Sequence, residues 1–282
     1  MSTILVTGAS GLIGNLLVEE LKSRHNVLAL SRHKPQGEGF TYIRGDFANW
    51  EDLSQLDAHN IDGVVHLAAV TGGCIEREGI LVNVEGSRVL MQYLSEHGCK
   101  KIVLASSIAT IGFQNIDFVP DHLPITESHG CKDRDGYGLS KYLMEEVSRY
   151  ISRQKPNLDI LNIRLSSAGI KTDVPQGLRE HRPWCLGGPT YMVVEDAVKL
   201  FATAAESPHK PGLRIVNGVA NRSWSTVKTA DQLRHWWGDK VDTSFFEQPG
   251  NEYASIFDTT RLNEELGFRA TKTLEILTNI QV

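Results

Sequence analysis

Three observations predict a doubly wound α/β fold built on a parallel sheet. Short apolar runs recur through the first 165 residues, stretches of helical period separate them, and a glycine-rich turn joins the first run to the first of those stretches. Alternation of this kind implies parallel strands joined by right-handed crossovers, with helices covering both sheet faces.

The elements follow in order. Ile4-Leu5-Val6 is a strand closed by Thr7-Gly8, and Leu12, Ile13, Leu16, Leu17 and Leu21 then recur at helical spacing to about Lys22. Further strands are expected at Val27 to Leu30, Tyr42-Ile43, Gly63 to Leu67 and Lys101 to Ala105, with helices around 50–57 and 83–97. A helix over 137–154 and a strand from Ile160 to Leu165 continue the pattern. After Gly169 regularity is broken by Pro175, Pro183, Gly187, Gly188 and Pro189 until Val193 to Ala205 reads as a helix. The organisation expected is a dinucleotide-binding domain over 1–169, to which later segments return, and over 170–282 mainly a small substrate-binding lobe laid on the sheet's carboxyl edge. There is no internal repeat or low-complexity segment.

Composition narrows the function class. The 282 residues are 41% hydrophobic and 22% charged, an ordinary globular balance, and their net charge of −5 lacks the clustered basic residues that a nucleic-acid surface needs. Cys74, Cys99, Cys131 and Cys185 form no Cys-x-x-Cys pair, so neither a zinc site nor a disulfide framework is indicated. No secretory leader or membrane span is read at the start, and a cytoplasmic enzyme with reduced thiols and a small-molecule partner is expected.

Thr7-Gly8-Ala9-Ser10-Gly11-Leu12-Ile13-Gly14 spaces three glycines by three residues between a strand and a helix. One allows the tight turn, one admits a pyrophosphate to the backbone amides, and one lets helix and strand pack closely. The helix amino terminus presents its positive end to the phosphates. Where an NAD site usually offers an acid to the ribose, this chain reads Leu30-Ser31-Arg32-His33-Lys34. A serine followed by basic residues suits a 2′-phosphate, so NADP(H) is favoured and NAD(H) remains possible. Arg32 and Lys34 as solvated loop charges is the plainer alternative. Asp46 either faces the adenine or caps the following helix.

Tyr137-Gly138-Leu139-Ser140-Lys141 sets phenol and ammonium at i and i+4 on one helix face. A tyrosine titrates near pH 10 in isolation, and an adjacent ammonium favours its phenolate, which fits it to exchange a proton with a substrate oxygen while hydride moves. Ser106-Ser107 ends the fifth strand, where open parallel sheets expose ligand-facing residues, so Ser107 is the third candidate. Strand-end capping is the competing reading of both serines.

With these motifs the chain resembles the extended short-chain dehydrogenase/reductase superfamily, in its NAD-dependent epimerase/dehydratase branch. The matches run from Gly8, Gly11 and Gly14 through Gly45-Asp46, His66-Leu67-Ala68-Ala69, Asn83 to Ser87, Ser106-Ser107, Tyr137 with Lys141, Arg164, Val194 to Ala197, and Asp258 to Phe268. The resemblance implies a Rossmann domain and catalysis by Ser107, Tyr137 and Lys141. It also implies cofactor contacts along Ser10, Leu12, Ile13, Phe47, Leu67, Ala68 and Ala69, with Asn83 steadying the active-site end of the fourth strand. His66 is expected to be structural. Homodimerisation through the helices near 83–97 and 137–154 is a further implication, although Arg88, Gln92 and Glu96 beside Tyr93 and Leu94 leave a monomer open.

Departures from the family pattern restrict the chemistry. Ile108-Ala109 stand where sugar-nucleotide dehydratases carry an Asp-Glu pair, which argues against water elimination. Ser166-Ser167 replace an asparagine common in the epimerases, and the segment after Gly169 is short, which suggests a smaller substrate or a weaker hold on a nucleotide. Arg179, Arg182 and Trp184 are candidates to cradle a phosphate or stack on a ring. Trp224, Trp236 and Trp237 are expected to pack the small lobe. The expected activity is hydride transfer at a secondary alcohol or ketone of a sugar-like substrate, as dehydrogenase, reductase or epimerase. The alternative is a non-catalytic NADP-binding sensor or scaffold.

Overall fold

The computed structural model describes residues 1–115, 117–169 and 190–272. In chain order the elements are β1 (Thr3–Thr7), α1 (Leu12–Leu21), β2 (Asn26–Ser31), β3 (Thr41–Arg44), α2 (Trp50–Leu53) and β4 (Gly63–His66). A short α3 (Glu76–Glu78), α4 (Ser87–Glu96), β5 (Lys101–Ser107), α5 (Gly136–Gln154), β6 (Asp159–Leu165) and β7 (Ser167–Gly169) follow. The chain continues with β8 (Tyr191–Val193), α6 (Val194–Glu206), β9 (Gly212–Gly218), α7 (Thr229–Trp237) and α8 (Thr260–Leu266).

Seven strands form one sheet in the order β3-β2-β1-β4-β5-β6-β9, and β1 pairs in parallel with both β2 and β4. β2 with β3 and β4 with β5 are parallel as well. The order reverses between β1 and β4, which is the switch point where open α/β sheets take their ligands, beyond the carboxyl ends of the strands. Ile4, Leu5 and Val6 are buried, as the continuous apolar run requires of a strand covered on both faces.

Two compact units divide the chain. The first comprises 1–106, 135–163 and 198–215, the second 107–134, 164–197 and 216–282. The core of the first gathers Leu5, Leu28, Leu30, Val64, Ile102, Leu104 and Ile160 from strands with Leu90, Met91 and Leu94 of α4 and Met144 and Ile151 of α5. Each such side chain contributes about 1.5–3 kcal/mol by leaving water. The second unit has its own core, including Phe113, Phe118, Leu233, Trp237, Phe246 and Phe257. Trp224 and Trp237 are buried and Trp236 packs against that core, so the tryptophans pack this unit as expected.

Two stretches differ in detail from the periodicity. Residues 50–57 split into α2 and a 3₁₀ turn over Ser54–Ala58, and the helix around 83–97 begins as a π-helix over Gly79–Gly86. Tyr93 and Leu94 point into the core rather than outward. Arg88, Gln92 and Glu96 bond to one another along α4, Arg88 donating to Gln92 and Gln92 to Glu96, while the Tyr93 hydroxyl donates to Asp57. Among the described residues no helix is long and apolar enough to cross a membrane.

Candidate active site

The glycine turn leaves β1 with Gly8 at φ 66°, a left-handed conformation that only glycine adopts without strain. A Cβ on Gly8 would stand 2.6 Å from the Ala68 nitrogen, and one on Gly14 would stand 2.2 Å from the Gly8 oxygen. Turn, strand end and helix therefore meet with no room for a side chain. α1 starts after Gly11 with no side-chain cap and no acid in its first turn. Its leading amides and positive end are therefore left to an anion, which fits the pyrophosphate of a dinucleotide. Gly14→Ala is expected to cost about 1–3 kcal/mol of stability by overpacking and to weaken dinucleotide binding. Thermal melting and a coenzyme titration check both.

At the switch point His66 joins the two central strands. Its Nδ1 lies 2.6 Å from Thr7 Oγ1 and its Nε2 2.9 Å from Ser87 Oγ. Burial, aided by the Lys141 charge, pushes the imidazole pKa down to about 3, so the ring is neutral and structural, as expected. Asn83, inside the π-helix, accepts from Val70 N and donates to Val70 O and to Ser140 Oγ, each at 2.9 Å. One amide thereby pins the loop after β4 to α5. Leu67, Ala68 and Ala69 line that loop half-buried.

Asp46 does not cap α2. Asn49 does, its side chain accepting from Glu51 N and Asp52 N, while Asp46 Oδ1 accepts from Ala48 N at 2.9 Å in a tighter turn. The capping alternative fails because the helix begins one turn later than the acid. Phe47 packs edge-on against His66 at 4.8 Å between centroids. Ser31, at the end of β2, donates to His33 O at 2.7 Å. Just past the end of β2 an open cleft of about 460 Å³ is lined by Arg32, His33, Arg44, Gly45, Asp46 and Asp52. Arg44 was not singled out in sequence, although a basic residue two positions before Asp46 was there to be read.

Tyr137 and Lys141 sit in the first turns of α5. Asp135 fixes that start, its carboxylate accepting from Tyr137 N at 2.8 Å and Gly138 N at 3.1 Å. An aspartate just ahead of a helical run is a readable cap signal. Lys141 Nζ stands 5.8 Å from the centre of the Tyr137 ring and donates to Ala105 O at 2.7 Å. Lys141 is 3% exposed. Burial lowers its pKa to about 8, against the opposing pull of Cys74 and Glu145. Glu145, one turn further along α5, accepts a hydrogen bond from Ser106 Oγ at 2.6 Å. In the second unit Ser107 caps a 3₁₀ turn, its Oγ accepting from Ala109 N at 3.1 Å. Capping is therefore real at Ser107, and it leaves the hydroxyl proton available to donate.

Some family-pattern residues are scaffold. Arg164 donates to Glu127 O, and Asp196 accepts from Thr271 and Lys272. Arg179, Arg182, Trp184 and Cys185 lie outside the described residues. Among the described residues there is no cluster of three or more His, Cys, Asp or Glu fit to hold a metal.

A family model described as the NAD-dependent epimerase/dehydratase family matches residues 4–169, more than half of the chain. The chain belongs to that family. This epimerase/dehydratase-family chain is 25% identical to the dTDP-4-dehydro-6-deoxyglucose reductase of Escherichia coli, over 96% of its own length and 94% of that relative. It is 27% identical to a UDP-glucose 4-epimerase of Pisum sativum over 57% of its length, spanning about half (51%) of that enzyme. For the fold, a short-chain dehydrogenase/reductase superfamily protein of Agrobacterium tumefaciens, crystallised with NAD, superposes with a TM-score of 0.74 at 22% identity, covering 99% of this chain and 95% of that one.

Proposed function

We propose that this chain is an NAD(P)-dependent oxidoreductase or epimerase that transfers hydride at a secondary alcohol or ketone of a sugar or nucleotide-sugar substrate. The observation that carries the reading is Tyr137 one helical turn before the buried Lys141, in a chain of this family. The nicotinamide, when bound, supplies the site that takes or returns the hydride.

The chain's residues do the rest. Gly8, Ser10, Gly11, Leu12, Ile13 and Gly14 seat the pyrophosphate, Asp46 and Phe47 the adenine side, and Leu67, Ala68, Ala69 and Asn83 the path between. Tyr137 exchanges the hydroxyl proton of the substrate, because the Lys141 ammonium favours its phenolate. Lys141 also holds the nicotinamide ribose. Ser107 gives its proton to a hydrogen bond on the reacting oxygen. In the oxidative direction the carbinol C–H leaves as hydride, its O–H proton passes to Tyr137, and a carbonyl forms.

The Escherichia coli relative is named as a reductase of a dTDP-linked sugar and the pea relative as a UDP-glucose epimerase, so both outcomes fit the family. Enzyme, coenzyme and a panel of UDP-sugars, dTDP-sugars and free sugar acids are mixed, and the absorbance of reduced nicotinamide and the sugar products are followed. Stoichiometric absorbance change marks a dehydrogenase or reductase. Sugar conversion without it marks an epimerase, and neither across the panel rejects the reading.

NADP(H) is the coenzyme we favour, although the family description names NAD. Support comes from the β2 end, which carries Ser31 rather than an acid, and from the cleft that Arg32, His33 and Arg44 share. The acids of that cleft are engaged by backbone amides, Asp46 by Ala48 N and Asp52 by Asp46 N. NADPH is expected to bind at least about tenfold tighter than NADH, about 1.4 kcal/mol. Calorimetric titration checks this, and a strong NADH preference rejects it. The same proposal places a homodimer in the cytoplasm through the helices near 83–97 and 137–154, with Tyr150 exposed on α5 and Leu81 exposed on the π-helix that leads into α4. Sedimentation at a mass of one 31.3 kDa chain refutes the dimer.

A further inference from the structure

We propose that Glu145 is a positioning residue that locks α5 to β5 and keeps a negative charge beside the Lys141 ammonium. This rests on the catalytic reading of Tyr137 and Lys141 above, in which Glu145 has no part.

Glu145 is a carboxylate with none of its surface exposed, a position that acids occupy only when paired and hydrogen-bonded. It lies four residues after Lys141 on the same face of α5, so the two charges share one stripe. Two consecutive residues of β5 meet that stripe. Ala105 O accepts from Lys141 Nζ at 2.7 Å, and Ser106 Oγ donates to Glu145 Oε1 at 2.6 Å. The helix is thus tied to the strand end by two bonds of opposite polarity. Motion of α5 along β5 would break both, and Tyr137 rides on the same turns.

The electrostatic role follows from where the charge sits. Burial drives the ammonium toward its neutral form, and Glu145 acts in the other direction. Cys74, from the loop after β4, favours the ammonium only as a thiolate, and burial holds that thiol above its usual pKa, while His66 of β4 is held neutral. Tyr137, on α5 itself, faces Lys141 with its ring. A neutral lysine would neither stabilise the phenolate nor donate as strongly to a ribose hydroxyl. Glu145 therefore extends to higher pH the range over which Lys141 works.

The test reads Lys141 directly. The full-length apoprotein is prepared with isotope-labelled lysine, its Lys141 NMR signal is assigned by Lys141→Met, and the titration is repeated in Glu145→Gln. The midpoint of Lys141 is expected to fall by about one pH unit, with the other lysines unmoved and the alkaline limb of kcat/KM following. A Lys141 midpoint that stays in place overturns the proposal, whether activity is lost, as a purely structural role would have it, or kept. If the glutamine variant does not fold, Glu145→Asp keeps the charge but withdraws it by one methylene. It should give a smaller fall in the same direction, and no fall overturns the proposal equally. The catalytic reading fails separately, through an active Tyr137→Phe, and the titration of Lys141 is independent of that result.

Discussion

Tyr137→Phe is expected to lower kcat by about 10²–10⁴-fold, the range that a positioned acid or base contributes, while coenzyme affinity stays within about twofold. Phenylalanine keeps the ring and its packing and removes only the hydroxyl, so the change tests proton transfer rather than shape. Asp135 holds the first turn of α5 through the Tyr137 and Gly138 amides, and those bonds do not involve the side chain being altered. Steady-state rates on the substrate found in the panel, beside a coenzyme titration, separate the two effects. A variant as active as the parent would end the assignment of Tyr137 as acid and base.

Lys141→Met is expected to lose catalysis by at least about a hundredfold and to remove a rise in stability that the parent shows between about pH 8 and 10.5. The sign comes from linkage. The folded pKa of Lys141 lies at about 8, below the ordinary lysine value of 10.5, with burial the leading cause. Below pH 8 the lysine is charged in both states and the folded protein bears the full cost of burying that charge. Between about 8 and 10.5 the unfolded chain binds the proton that the folded one does not, so stability rises with pH. Above 10.5 both are neutral and the cost is gone. At 1.36 kcal/mol per unit that rise is worth about 3 kcal/mol in the parent. Methionine carries no proton, so in denaturant unfolding of the apoprotein the variant should fall short of the parent's rise between pH 8 and 10.5 by that amount, whatever balance is struck at pH 7 between the escaped burial cost, the lost bond to Ala105 O and a buried Glu145 carboxylate left without its cation. A methionine variant whose stability climbs as much as the parent's over that range would contradict the burial argument. The trade of stability for a functional charge is one that active sites commonly make.

Much of the fold is legible in short windows of sequence. β1, the glycine turn and α1 are written in Ile4 to Leu21, where apolar period switches from strand to helix around three glycines. Helix α5 with Tyr137 and Lys141, and Ser107 at a strand end, are equally local features, and each was placed on its element from spacing alone. Less of the site was legible wherever two readings differed only in a partner far along the chain. Asp46 is an example: whether it caps α2 depends on where that helix starts, and Asn49 takes the position. Asp135 carried a local signal and Arg44 stood two positions before Asp46, whereas the role of Glu145 depends on Ser106, which only the fold brings to it.

Sequence by itself determined the order of the main strands and helices from β1 to β6, the glycine turn, the Tyr137/Lys141 pair and the family, because periodicity, glycine conformation and i,i+4 spacing are properties of a few neighbouring residues. Tertiary structure alone decided the state of those groups. It made His66 neutral by burying it between Thr7 and Ser87, turned Tyr93 and Leu94 inward, and lowered the Lys141 pKa by closing protein around it. It also brought Ser106 to Glu145 across 39 positions. Burial and long-range pairing set local dielectric and hydrogen-bond partners, and those quantities exist only once the chain has packed.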